Sequence, residues 1–165
     1  MLVQATVGVG TSEGGRYAER EEFTSEFMLA WRVPARKVPF TVGTALGRSI
    51  DTGNADMCEI AVGGACVPSM PRFGYIALLA GFEAHGRVGA IGVMAGPAFI
   101  AGRSGDQARH SWTSGGRAGA QLRLDVASPS FYHVALTMSP RVVWVPNVGD
   151  ATLSLRSLNF GLRFQ

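Results

Sequence analysis

Hydrophobic residues recur at every second position along most of this 165-residue chain. Residues 117–126 show the pattern most clearly, because small or apolar side chains alternate there with glycine, glutamine and charged side chains. The apolar set is Ala118, Ala120, Leu122, Leu124 and Val126. A period of two predicts a β-strand with one apolar face and one smaller or more polar face.

Eight segments follow this pattern, and together they predict an all-β chain. They are residues 3–10, 23–33, 38–47, 75–84, 88–101, 117–126, 133–145 and 151–164. In the last of them the alternation shifts near Ser157, so that Leu153 and Leu155 fall on the other face. A bulge, or emergence of the strand from a bilayer, would explain that shift.

The connections between these strands differ in length. Those after the first, third and fifth strands are long, at about 11–22, 48–74 and 102–115, whereas the others are short. Such asymmetry is typical of up-and-down barrels in outer membranes, which have short turns on one side and longer loops on the other. At 165 residues the chain is long enough for one domain and too short for two, so the sequence predicts one domain over residues 1–165.

The composition agrees with strands that cross a membrane. Hydrophobic residues make up 47% of the chain and charged residues 16%, against about 25% charged in ordinary soluble domains. No apolar run of about 18 residues is present, which excludes a transmembrane helix. The 22 glycines, many of them inside apolar segments, also disfavour long helices.

Alternation alone does not decide which face is outside, since soluble barrels also alternate. The less apolar face consists mainly of Gly, Ala, Ser and Thr, which fit the narrow interior of an eight-stranded barrel. Its few charges are nearly balanced and predict a lumen ion-pair network of Glu26, Glu83, Arg117, Arg123, Asp125, Arg141 and Arg163. Arg32 lies on the same face and is counted with these charges, although Arg32 and Arg117 could instead be surface charges near strand ends.

Aromatic side chains gather at the two ends of the predicted barrel, as at membrane interfaces. The turn-end group is Trp31, Phe40, Phe82, Phe131, Tyr132, Phe160 and Phe164. The loop-end group is Phe23, Tyr75 and Trp144.

The C-terminal strand carries its apolar face on Leu158, Phe160, Leu162 and Phe164. It resembles the insertion signal of bacterial outer-membrane proteins, although that signal usually ends on the aromatic residue and here Gln165 follows. Over about residues 3–164 the chain resembles the small eight-stranded outer-membrane barrels of the OmpA and OmpX type.

That resemblance implies a closed eight-stranded antiparallel up-and-down transmembrane β-barrel in a bacterial outer membrane, with both termini in the periplasm. The implied partners are outer-membrane lipid, lipopolysaccharide and the barrel-assembly machinery, which would read the C-terminal strand. The implied role is a non-enzymatic envelope scaffold that displays surface loops, because eight strands leave no wide channel. Loop 48–74 is the expected contact surface, and its ligand is unknown.

Cys58 and Cys66 lie within that loop and are the only cysteines. No histidine is nearby, so a zinc site is disfavoured and a disulfide in an oxidising compartment is expected. No metal or cofactor is expected, because the acidic stretch 51–56 lacks the spacing of an EF-hand loop. Export requires a signal peptide, so we expect that the N-terminus has been trimmed.

Two alternatives remain open. The first is a lipid- or lipopolysaccharide-modifying hydrolase, with His110, Ser111 and Asp106 as its candidate residues. In lipid A deacylases of this fold the His and Ser are separated by one residue, whereas here they are adjacent and in a loop. The second is a soluble lipocalin-like ligand-binding barrel. Nucleic-acid binding has little support, because no basic run is interleaved with aromatic residues.

Overall fold

The computed structural model describes residues 1–14, 17–33, 39–51, 59–60, 66–67, 72–103, 117–148 and 151–165. The strands are β1 (Leu2–Gly14), β2 (Tyr17–Val33), β3 (Phe40–Asp51), β4 (Glu59–Ile60), β5 (Cys66–Val67), β6 (Arg72–Gly86), β7 (Gly89–Arg103), β8 (Arg117–Ala127), β9 (Val134–Val148) and β10 (Ala151–Phe164). Within the described residues, no helix has both the length and the apolar character needed to cross a membrane.

Eight of these strands close into a barrel in the order β1-β10-β9-β8-β7-β6-β3-β2. Every neighbouring pair is antiparallel, and β1 completes the ring by pairing with β10 from Val3↔Phe164 to Glu13↔Ser154. Closure satisfies the backbone hydrogen-bonding groups that an open sheet would leave at its edges. The predicted fold class, a closed eight-stranded antiparallel barrel, is confirmed.

The two ends of the barrel differ, and we name them by their connections. The turn end contains both termini and the connections 34–39, 87–88 and 128–133. The loop end contains the connections 15–16, 52–71, 104–116 and 149–150, and the two-residue strands β4 and β5 pair within the second of these.

Several strands extend beyond their predicted bounds at the loop end. The predicted loop 11–22 is mostly strand, because β1 continues to Gly14 and β2 begins at Tyr17. The predicted loop 48–74 is shortened at both ends by β3 and β6, and β7 runs to Arg103. These extensions are polar or mixed, so they lose the alternation signal while their backbones still pair, as in Thr11↔Arg156.

The outer surface of the barrel is apolar, and the interior holds the polar and charged side chains. Large hydrophobic residues exposed on the outer face include Val7, Phe27, Leu78, Phe99, Leu136 and Phe160. The buried residues include Glu26, Glu83, Arg123, Asp125, Arg141 and Arg163. Soluble proteins show the reverse distribution, since their charged side chains are rarely buried.

An apolar layer fills the lumen near the loop end. Its members, all fully buried, are Ile100, Val143, Val145, Leu153 and Leu155. The interpretation of a bulge near Ser157 is wrong, because β10 stays in register with β9 from Leu153 to Phe164 and shifts only between Ala151 and Leu153. Leu153 and Leu155 face inward because the lumen is apolar at their level.

The β8–β9 connection at the turn end is a tight turn of unusual composition. Phe131 and Val134 exchange backbone hydrogen bonds of 2.8 and 3.0 Å. Between them Tyr132 and His133 have positive φ angles of 49° and 67°, the left-handed conformation that two-residue hairpin turns require. The rings of Phe131 and Tyr132 meet edge to face with their centroids 4.4 Å apart.

Candidate functional site in the barrel lumen

Glu26, on the inner face of β2, is the centre of the lumen network. Its Oε1 accepts a hydrogen bond from Arg123 Nη1 at 2.5 Å, and its Oε2 lies 2.8 Å from Arg141 Nη1. Oε2 also accepts hydrogen bonds from the Tyr75 hydroxyl at 2.5 Å and from Gln121 Nε2 at 2.7 Å. One buried carboxylate therefore accepts three hydrogen bonds and forms a further ion pair with Arg141, from three other strands in all, which offsets the cost of removing its charge from water.

Asp125 extends the network toward the turn end. Its Oδ1 accepts hydrogen bonds from Arg123 Nη2 at 2.5 Å, from Ser139 Oγ at 2.5 Å and from Gln4 Nε2 at 3.1 Å. Arg123 thus joins two carboxylates with the two nitrogens of one planar guanidinium, a geometry that lysine cannot provide. With Arg141 included, the network contains two acidic and two basic side chains and is neutral.

The period of two places these groups together. Gln121, Arg123 and Asp125 lie at alternate positions of β8 and all face the lumen. Tyr75, which joins them at Glu26, fits in the lumen because its partner on β3 is Gly47. A Cβ on Gly47 would lie 2.0 Å from Tyr75 Cζ, so the Tyr75 ring occupies space that any other residue at position 47 would fill.

A second cluster lies around Glu83 at the turn end. Glu83 Oε1 lies 2.6 Å from Arg32 Nη2 and 2.5 Å from His85 Nε2, and Oε2 pairs with Arg163. Arg163 is fully buried, whereas the side chains of Arg32 and His85 are about one-third exposed at the mouth of the lumen. This single carboxylate is therefore surrounded by basic groups.

The structure distributes the predicted network residues over these two clusters. Glu26, Arg123, Asp125 and Arg141 form the central one, and Glu83 and Arg163 belong to the turn-end one, which also includes Arg32. Arg117 begins β8 at the loop end and lies outside both.

Sequence reasoning missed four participants in the central cluster: Gln4, Tyr75, Gln121 and Ser139. Gln4, Gln121 and Ser139 lie on the inward face by strand parity, so that signal was present in the sequence. The placement of Tyr75 in the loop-end aromatic group is wrong, since its ring is buried in the lumen. Tyr75 lies two residues before the inward-facing Ala77 on the same strand, and residues two apart share a face, so strand parity places Tyr75 in the lumen.

The remaining candidate sites are placed as follows. Leu158, Phe160, Leu162 and Phe164 all face outward and are exposed. Cys58 lies outside the described residues and Cys66 begins β5, so the disulfide stays a prediction. His110, Ser111 and Asp106 also lie outside the described residues. Within the described part of the chain, no Ser or Thr hydroxyl hydrogen-bonds a histidine side chain, and no group of three or more His, Cys, Asp or Glu residues could hold a metal ion.

No known family profile matches the sequence, and no curated protein matches it significantly. Two solved structures are similar over nearly the whole chain. Neisserial surface protein A (NspA) superposes with a TM-score of 0.65 at 12% identity, over 99% of this chain and 95% of that one. The outer membrane enzyme PagL superposes with a TM-score of 0.54 at 16% identity, over 100% of this chain and 99% of that one. This chain therefore has the fold of the small eight-stranded outer-membrane β-barrels.

Proposed function

We propose that this chain is an integral protein of a bacterial outer membrane, with its turn end and both termini in the periplasm. In this proposal it is a non-enzymatic scaffold that displays the connections of its loop end outside the cell. The observation that carries the proposal is the inverted distribution of polarity. Apolar side chains cover the outside of the barrel, and the ion pairs of Glu26 and Glu83 are inside.

Exposed apolar side chains of this number are unfavourable in water, because each buried leucine or phenylalanine contributes about 1.5–3 kcal/mol relative to an exposed one. The hydrocarbon core of a bilayer removes that penalty. The interior charges have their partners within the lumen, so lipid is not required to solvate them. Both properties are those of transmembrane barrels.

The lumen is closed by side chains in this proposal. Arg123 crosses the lumen from β8 to Glu26 on β2, and the fully buried apolar layer lies on its loop-end side. Eight-stranded barrels have interiors just wide enough to be filled by side chains. A structural or display role fits such a barrel better than transport of solutes.

The loop end is the proposed contact surface, since binding residues concentrate on loops held by a rigid scaffold. The connection 52–71 is the longest and contains both cysteines. A Cys58–Cys66 disulfide would constrain it and would suit the oxidising environment outside the inner membrane. The proposed assembly partner is the barrel-assembly machinery, which would bind the outward apolar face of β10.

A hydrolase is the alternative class, because an enzyme shares this fold. The described residues offer no hydroxyl–histidine pair of the kind that nucleophilic catalysis requires. Fold alone does not assign an activity. His110 and Ser111 lie outside the described residues, and we assign them no catalytic role in this proposal.

Two assays on the protein refolded in vesicles test the proposal. Planar-bilayer recordings should show no stable open channel, because the lumen is filled. Incubation with outer-membrane phospholipid and lipopolysaccharide should release no fatty acid detectable by mass spectrometry. A steady conductance would contradict the closed scaffold, and fatty-acid release that is lost on His110→Ala would establish the hydrolase instead.

A further inference from the structure

The charges of this chain are segregated along the barrel axis. Among the residues whose side chains the structure describes, the turn end carries three basic residues and one acidic residue, namely Arg32, Arg87 and Arg163 against Glu83. The central lumen network contains two of each sign and is neutral. Among the same described side chains, the loop end carries three of each sign, Arg48, Arg117 and Arg156 against Glu13, Glu21 and Glu22. The positive net charge of the described side chains therefore lies at the turn end.

The same end carries exposed apolar side chains. Val88, Phe131 and Tyr132 are more than two-thirds exposed in the two short turns, and Trp31 and Phe82 face outward on the adjoining strands. Arg87 lies in the same turn as Val88 and is exposed. Basic and aromatic side chains mixed at one rim are typical of the interfacial region of a bilayer.

The short turns limit how far the turn-end side chains lie from the ends of the membrane-spanning strands. The β6–β7 connection contains only two residues between its strands, Arg87 and Val88. The Phe131–Tyr132 pair projects from a tight turn that is held by two backbone hydrogen bonds. These groups therefore stay close to the ends of the spanning strands, at the depth where lipid phosphates lie.

We propose that the turn-end rim binds anionic phospholipid headgroups in preference to zwitterionic ones. This inference rests on the proposed membrane function. An eight-stranded barrel has a radius of about 8 Å, and the Debye length at physiological salt is also about 8 Å. A phosphate group at the rim therefore interacts with basic residues on its own side of the barrel and with charges that face the lumen mouth, which lie within about one Debye length. Each basic residue near a membrane surface strengthens the attraction of anionic lipid by up to about fivefold.

The tryptophans allow this preference to be measured at each end separately. Trp31 is half exposed near the turn end of β2, and Trp144 is partly exposed near the loop end of β9. The third tryptophan, Trp112, is removed by Trp112→Phe. Adding Trp144→Phe leaves Trp31 alone, and adding Trp31→Phe leaves Trp144 alone. Quenching by brominated phosphatidylglycerol is then compared with quenching by brominated phosphatidylcholine in symmetric vesicles, so the direction of insertion does not affect the comparison.

At low salt, Trp31 should report a preference for phosphatidylglycerol of about threefold or more, whereas Trp144 should report about equal affinity for the two lipids. The preference at Trp31 should fall toward one in 0.5 M salt, because screening shortens the range of the charges. Arg32→Gln combined with Arg87→Gln should also reduce it at least twofold. The matched control, Arg48→Gln combined with Arg156→Gln, removes two exposed arginines of the loop end and should leave the value at Trp31 unchanged.

Equal affinity for both lipids at Trp31, or the same preference at both tryptophans, would overturn the inference and leave an acidic soluble partner as the explanation of the charge. If neither brominated lipid quenches either tryptophan, the barrel is not in the bilayer. That result would overturn the proposed function and this inference with it, and it is distinct from quenching without a preference.

Discussion

Arg123 Nη1 lies 2.5 Å from Glu26 Oε1 inside the barrel, and the two residues come from strands that are diametrically opposite in the ring. β2 and β8 are four strands apart in either direction. The Glu83–Arg163 pair spans β6 and β10, which are also four strands apart. Two ion pairs therefore connect opposite strands across the full width of the barrel, at different positions along its axis.

The first prediction concerns the central carboxylate. Glu26→Ala leaves Arg123 without one of its two carboxylates and Arg141 without the carboxylate it pairs with, so the free energy of unfolding should fall by about 3–5 kcal/mol. Urea titration in vesicles, followed by tryptophan fluorescence, measures it. Glu13→Ala is the control, because the Glu13–Arg156 pair is exposed and should contribute less than about 1 kcal/mol. A loss within about 0.5 kcal/mol for Glu26→Ala would contradict the buried-network account.

The second prediction ranks the partners of Glu83. Arg163 is fully buried, whereas Arg32 is partly exposed to water. Arg163→Ala should therefore destabilise the barrel by about 3 kcal/mol or more, and Arg32→Ala by about 1 kcal/mol or less. Parallel urea titrations of the two variants provide the comparison. Equal effects would show that Glu83 does not depend on the pair that crosses the lumen.

The third prediction concerns the outer face. Leu78 is exposed in the middle of β6 and should contact hydrocarbon. Leu78→Arg should cost about 2–4 kcal/mol in a bilayer, whereas arginine near the interface costs about 0–1 kcal/mol. Val88→Arg in the β6–β7 turn is the interfacial control. A tolerated Leu78→Arg would mean that this face meets water.

The fourth prediction concerns the seam at which the barrel closes. Gly161 on β10 pairs with Thr6 on β1, and a Cβ at Gly161 would lie 1.9 Å from the backbone oxygen of Ala5. Gly161→Ala should force the two strands apart and cost about 1–3 kcal/mol, with a lower yield of folded barrel on gels. Gly74→Ala is the matched control, because a Cβ there would lie 3.5 Å from the backbone oxygen of Gly47, an ordinary van der Waals contact. Similar yields for the two variants would exclude a steric requirement at the seam.

Much of the fold follows from sequence because a barrel strand has only two faces. The parity of a single strand, such as β8, decides which side chains face the lumen, and the presence of glycines and a few balanced charges identifies that side. For Tyr75 two signals conflict: an aromatic residue near a strand end predicts the membrane interface, whereas its parity on β6 places the ring in the lumen, where the structure has it. Leu153 and Leu155 break the alternation of apolar and polar residues in β10, yet they lie on its inward face, because the lumen changes from polar to apolar toward the loop end.

The partners across the lumen could not be predicted in the same way. Whether Glu83 meets Arg163 or Arg123 depends on the stagger of the strands around the whole ring, which no local pattern determines. The strand ends were also missed where β1 and β2 continue past the apolar band. There the inward face carries polar side chains such as the buried Ser12 and Glu22, so backbone pairing persists without the alternation of apolar and polar residues that would reveal it.

The central claim is that the apolar outer face requires lipid, and heat-modifiable gel mobility tests it most directly. The protein is refolded in detergent and in plain buffer, and each sample is run with and without boiling. A compact, fast-migrating band that forms only with detergent and disappears on boiling is the predicted result. A monomer that folds and stays soluble without detergent would contradict the claim.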